Sequence, residues 1–204
     1  LGRVRRLAIA REQSFRVGFQ LLRGVLGPEE VGAAYARVAE SALIAVYRRV
    51  RTAFEAAHGR VEGGVFAIVA MGRLGAAKMT ASSDLDLVFL YDHAAEAGPS
   101  DGASPLTPPV YFSRLSQRLI AALTAPTAEG KLYDVDMRLR PSGSKGPVAV
   151  RLETFETYQA EEAWTWERMA LTRARLIAAD AGFAETVAAA IRRVLTRPAD
   201  AAKV

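Results

Sequence analysis

"SSDLDLVFLYD", residues 82–92, decides how this chain is read. Leu85, Leu87, Val88, Phe89, Leu90 and Tyr91 make a short apolar run, which predicts a buried strand. Asp84 and Asp86 stand at its mouth. Side chains alternate across a strand, so the two carboxylates point the same way. Their Cα atoms lie about 6.5–7 Å apart, two strand steps. Carboxylates at that spacing can lean inward onto cations roughly 3.5–4 Å apart, the separation of two-metal sites. Without cations they repel, and burial raises at least one pKa. Hard oxygen donors favour Mg²⁺ or Mn²⁺ over softer metals.

A second acidic stretch, "KLYDVDMRLRP", residues 131–141, alternates strictly. Tyr133, Val135, Met137 and Leu139 fall on one face of a predicted strand. Asp134, Asp136, Arg138 and Arg140 fall on the other. Beside the first strand, Asp136 supplies a third carboxylate. Arg138 and Arg140 then either hold phosphate oxygens bidentately or pair structurally with Asp134 or Asp136. Each motif alone also fits a solvated face or an ordinary turn.

"VFAIVAM", residues 65–71, predicts another strand, bounded by Gly63, Gly64 and Gly72. It runs into "MGRLG", where Gly72 and Arg73 open a turn whose backbone N–H groups can approach an anion. Ser82 and Ser83 either bind phosphate or cap the strand entrance. Lys131 either reaches phosphate or faces solvent.

The surrounding regions read as helical. Gly27, Pro28, Glu29 and Glu30 mark a helix start. Val31, Tyr35, Val38, Ala42, Val46, Val50 and Phe54 form one apolar face, and Gly59 marks a stop. An upstream helix is predicted over Val4 to Leu22 and another over Tyr111 to Leu123. Beyond Val148 the chain reads as mostly helical, with Leu152, Phe155, Trp166, Met169 and Ile177 as core positions and Asp180 capping a final helix. The predicted architecture is α+β: N-terminal helices (1–60), a small sheet within 61–150 and a C-terminal helical region (151–204).

Of the 204 residues, 50% are hydrophobic and 24% charged, which fits a folded globular chain. There are no cysteines, so disulfides and thiolate zinc sites are excluded, and His58 and His93 lie far apart. Absent cysteine fits a cytoplasmic protein. No run approaches the roughly 20 apolar residues of a membrane helix. A formal net charge of +5 attracts nucleotides, nucleic acid or an acidic protein. The basic residues lack the interleaved aromatics of a single-strand stacking platform, so nucleic acid is not the expected partner.

The glycine turn, the Asp-x-Asp strand and the third acid resemble the nucleotidyltransferase superfamily, whose polymerase-β-like fold implies a small mixed sheet and a catalytic core over 61–150. Gly72-Arg73 stands at the turn where that superfamily usually has Gly-Ser. The longer segments "GRLGAAKMTASSDLDLVFLYD" (72–92), "YFSRLSQRLIAALTAPTAEGKLYDVDMRLRPSGSKGPV" (111–148) and "TYQAEEAWTWERMALTRARLIA" (157–178) resemble the bacterial glutamine synthetase adenylyltransferases. "RPSG", "AWTWE" and "LTRAR" resemble the C-terminal, adenylylating half. The resemblance implies transfer of AMP from ATP to a tyrosine of glutamine synthetase by a two-metal mechanism. Two Mg²⁺ ions (Mn²⁺ as the substitute) would be held by Asp84, Asp86 and Asp136, with Asp136 nearest the nucleophile. Gly72, Arg73, Ser83, Arg138 and Arg140 would face the nucleotide. It also implies control by glutamine and a nitrogen-regulatory signal protein. The alternatives are the half that removes AMP by phosphorolysis, releasing ADP, and, more weakly, a basic nucleic-acid-binding module.

Overall fold

The computed structural model describes residues 2–126 and 130–198. Its elements run α1 (Gly2–Leu22), α2 (Pro28–His58), β1 (Val65–Ala70), α3 (Gly72–Gly75), β2 (Leu85–Asp92), α4 (Pro108–Thr124), β3 (Val135–Asp136), β4 (Ala149–Arg151), α5 (Leu152–Glu161), α6 (Thr165–Ala170), β5 (Arg175–Ala179) and α7 (Phe183–Thr196), with short 3₁₀ turns at Gly143–Lys145 and Leu171–Arg173. The fold is α+β around one small mixed sheet, as the sequence pattern predicts. Among the described residues, no helix is long and apolar enough to cross a membrane.

β1 pairs antiparallel with β2 on one side and β5 on the other. The free edge of β2 is shared: β3 lies parallel to its start and β4 parallel to its end. β2 is thus covered on both faces. Phe66, Ile68, Leu85, Leu87 and Phe89 face α2 and α4. Ala67, Val69, Val88 and Leu90 face α5 and α7. Two-sided burial is why β2 reads as an almost unbroken apolar run. Phe66 anchors the first core, its ring stacked near Tyr47, Phe89 and Phe112 at centroid distances of 5.7, 5.7 and 6.1 Å.

α2 begins where its sequence says it should. Pro28 occupies the first turn, and the Glu30 carboxylate accepts the Gly27 N–H at 2.7 Å. At the other end Gly59, with φ +69°, donates its N–H to the Glu55 carbonyl at 2.8 Å. The buried seam also takes in Ala39, Leu43 and Tyr47, while Val38 and Ala42 turn toward a groove shared with α1.

Three expectations differ from the structure. Residues 131–141 do not form one strand; only Val135 and Asp136 pair, and the chain turns at once. The last third is mostly helical, as expected, with residues 149–151 and 175–179 entering the sheet as β4 and β5. Leu152, Phe155 and Ile177 are buried, but Trp166 and Met169 are 58% and 65% exposed. α6 is six residues long and is fixed by polar contacts instead: Tyr158 donates to Glu167, and Arg168 donates to the carbonyls of Val194, Arg197 and Pro198 at the end of α7. Asp180 does not cap α7 with its side chain. Gly182 holds the cap position, and the Asp180 carboxylate accepts from Phe66 N–H at 2.8 Å and from Arg51.

Arg51 therefore ties α2 to the far end of the sheet, donating to Asp180, Tyr47 and Glu55. Burial pushes the Tyr47 hydroxyl up to about 12. Burial also raises Glu55, but hydrogen bonds from Arg51 and Arg60 outweigh it and leave the carboxyl below its ordinary 4.5. A carboxylate depressed in the folded state contributes stability above about pH 4.5 that is lost as pH falls through its folded value. Urea midpoints of wild type and Glu55→Gln should differ at pH 7 and converge as the pH drops toward 3. A gap that stays constant with pH would count against the network.

Candidate functional site

Asp84, just before β2, and Asp86, its second residue, point to the same side. β3 lies parallel beside them, and its register sets Asp136 directly opposite Asp86. Oxygens of Asp84, Asp86 and Asp136 can all lie within 4.8 Å of one another. Asp84 is exposed and the other two are half-buried. The three acids singled out from the sequence thus converge on one spot at the end of the sheet.

The electrostatics follow from that crowding. Burial, then the charges of Asp84 and Asp136, push the Asp86 carboxyl above its ordinary value. Asp136 goes the other way. Its carboxylate accepts the Arg138 backbone N–H at 2.8 Å and the guanidinium at 2.5–2.7 Å, which holds it low. The donor set is hard oxygen, its members are close enough to share an ion, and one is strained by its neighbours' charge. That set fits Mg²⁺ or Mn²⁺.

The glycine turn lies against this cluster. β1 ends at Ala70, and the Met71 N–H donates to the Asp86 carbonyl at 2.9 Å. Gly72 then takes φ +51°, and a Cβ there would sit 2.0 Å from Asp86 Oδ2. At Gly75 a Cβ would meet the Arg173 carbonyl at 2.0 Å. α3 closes with Ala77 N–H on Leu74 O and Lys78 N–H on Arg73 O, the crossed pair of a Schellman end. Ala77 holds the left-handed position with φ +53°, where glycine is usual and a Cβ costs about 1 kcal/mol.

The remaining residues with a predicted role divide. Arg73 is exposed on the turn. Arg138 is 81% exposed and grips Asp136. Arg140 is buried and spends its donors on the carbonyls of Met137, Ser144, Gly146 and Pro147, closing the loop after β3. The Ser83 hydroxyl bonds Thr80 within the turn that leads into β2. Lys131 pairs with Asp134 at 2.6 Å, on the surface.

One contributor escapes the sequence reading. Arg175, at the start of β5, donates to Leu74 O and Gly75 O, the carbonyls at the end of the glycine turn. Its remaining guanidinium nitrogen meets Glu40 of α2 at 2.6 Å. "RLIAAD" carries the available signal: a short apolar run ending in Asp, like "VFLYD" of β2.

The family described as glutamate-ammonia ligase adenylyltransferase matches residues 2–190. Among similar proteins, one from Mesorhizobium japonicum is 50% identical over 195 residues, one from Xanthobacter autotrophicus 53% over 201 and one from Agrobacterium fabrum 52% over 195. Each is described as a bifunctional glutamine synthetase adenylyltransferase/adenylyl-removing enzyme. The matches cover 96–98% of this chain and 20% of each relative, so the chain spans about a fifth of their length.

Proposed function

We propose, from the premise that this chain belongs to the glutamate-ammonia ligase adenylyltransferase family, that it transfers AMP from ATP to a tyrosine hydroxyl of glutamine synthetase. The observation that carries this reading is the meeting of Asp84, Asp86 and Asp136 from two paired strands beside a glycine turn. Two Mg²⁺ ions held by these acids, Asp136 serving only one of them, would neutralise the triphosphate and lower the pKa of the acceptor phenol.

The chain's own residues do the rest. The turn at 72–75 brings backbone to the phosphates at a point where Gly72 leaves room only for the Asp86 carboxylate. Exposed Arg138 turns from Asp136 to a phosphate oxygen, supplying a planar pair of donors. Asp136, released from that guanidinium, becomes the stronger base and takes the phenolic proton. The phenol oxygen bonds the α-phosphorus, the bond to the β-phosphate oxygen breaks, and pyrophosphate leaves. Catalysis is chiefly positioning and charge stabilisation. Arg73 faces the leaving phosphates from the exposed side of the turn. Control by glutamine and a nitrogen-regulatory signal protein, in the cytoplasm, belongs to the same reading.

A second reading rests on the relatives' descriptions, which name removal as well as attachment. There the same acids serve phosphorolysis of AMP-tyrosine, with ADP as product. Incubating the intact protein with α-labelled ATP, Mg²⁺ and unmodified glutamine synthetase separates the two. Label arriving on tyrosine is the expected result. Phosphate-dependent loss of label from modified target, without transfer from ATP, selects the second reading. Neither activity would overturn both.

A further inference from the structure

Arg175 bonds Glu40 and the carbonyls of Leu74 and Gly75 rather than the three carboxylates, and so is bound to the turn that abuts them. We propose that Arg175, oriented by Glu40, is a positioning residue for the AMP transfer: it fixes the glycine turn at 72–75 from behind. This inference rests on the reading of the site given above.

The argument starts from what the turn lacks. α3 is four residues long, too short to be stable by its own hydrogen bonds. It ends in a left-handed Ala77, which favours unwinding. Its first residue must hold φ +51° against the Asp86 carboxylate. Something outside the turn has to keep it folded. Leu74 is buried in the core and the Met71 N–H is held by Asp86 O, and two further groups of contacts grip the end of the turn. The Met79 N–H donates to Gly32 O of α2 at 3.2 Å, and the α2 backbone at Gly32 lies against Lys78, where a Cβ would come within 3.2 Å of its Cα. Arg175 supplies the other. Its Nε and one terminal nitrogen reach Gly75 O and Leu74 O at 3.3 and 3.2 Å, while the other terminal nitrogen reaches Glu40 at 2.6 Å.

The geometry requires arginine. Its planar guanidinium can present nitrogens to two carbonyls and a carboxylate at once, whereas an ammonium is a point charge at the end of a flexible stem. Glu40 holds the fork in the orientation that meets the carbonyls. α2 is the longest helix among the described residues, so the turn is referenced to a rigid element at two separate points.

A bland alternative is that Arg175 merely ties β5 to α2 through its ion pair. Arg175→Lys separates the two roles, because lysine can keep Glu40 but cannot fork to both carbonyls. In the intact protein, Arg175→Lys should lower turnover about tenfold, the scale of one or two lost hydrogen bonds, with KM for glutamine synthetase unchanged. Amide exchange over residues 72–79 should accelerate by about the same factor, while β1 and α7 exchange as in wild type. Glu40→Gln should shift both readouts in the same direction by less, and should add nothing in the Arg175→Gln background. Wild-type turnover and wild-type exchange at 72–79 in Arg175→Lys would overturn the proposal. If the wild-type protein transfers no AMP, the functional reading falls, and the exchange measurement alone decides whether Arg175 holds the turn.

Discussion

Asp86→Asn is expected to lower AMP transfer at least about 10²-fold, the loss that follows removal of one fixed electrostatic contact, with Asp84→Asn behaving alike. Asp86 is the middle member of the cluster, flanked by Asp84 on its own strand and Asp136 across the register. Burial, then the charges of Asp84 and Asp136, push its carboxyl up. Removing that charge relieves repulsion in the cation-free protein. The melting temperature of Asp86→Asn without divalent cations should therefore equal or exceed that of wild type, and added Mg²⁺ should raise it less than in wild type. Steady-state labelling of glutamine synthetase and thermal melting together check the result. Unchanged transfer in Asp86→Asn would remove these acids from the chemistry.

Gly72→Ala should be comparably damaging for a different reason. No functional group is lost. The added methyl would meet Asp86 Oδ2 at 2.0 Å on a backbone held at φ +51°. Either the turn retreats or the carboxylate does, and a displacement of about 1 Å at a reacting centre costs on the order of 10² in rate. Unlike Asp86→Asn, this variant should also melt lower, because the left-handed residue now carries a Cβ. The two variants thus separate charge from fit: one loses activity while holding stability, the other loses both. Melting and transfer both at wild-type values in Gly72→Ala would show that the turn is not pressed against the acid.

Much of this was legible in the sequence because it is written in local pattern. β2 announces itself by an apolar run too short for a helix, and α2 by its caps and its three-to-four spacing. The three acids follow from period-two alternation once the two stretches are neighbours. What was not legible is non-local. Residues 137–140 alternate as a strand would, but Arg140 finds four carbonyls of its own loop and curls the chain away after Asp136. β5 carries "RLIAA", equally good as a buried helix turn, and only pairing with β1 makes it extended. Trp166 and Met169 obey helical spacing, yet α6 is too short to turn them inward. Arg175 could not be assigned without knowing that β5 starts beside the turn after β1.

β2 is clamped from both faces while Asp86 lies near its start, Asp84 just before it and Asp136 on the strand beside it. An acidic cluster on a loop would splay when stripped of cations and let its charges drift apart. Here the interior forbids that relaxation. The repulsion that Asp86 feels from its neighbours is retained, and on the proposed two-ion reading the part that a divalent ion discharges would be returned as binding strength. On that reading, the packing of aromatic rings deep in the molecule would set how hungrily its rim takes up metal.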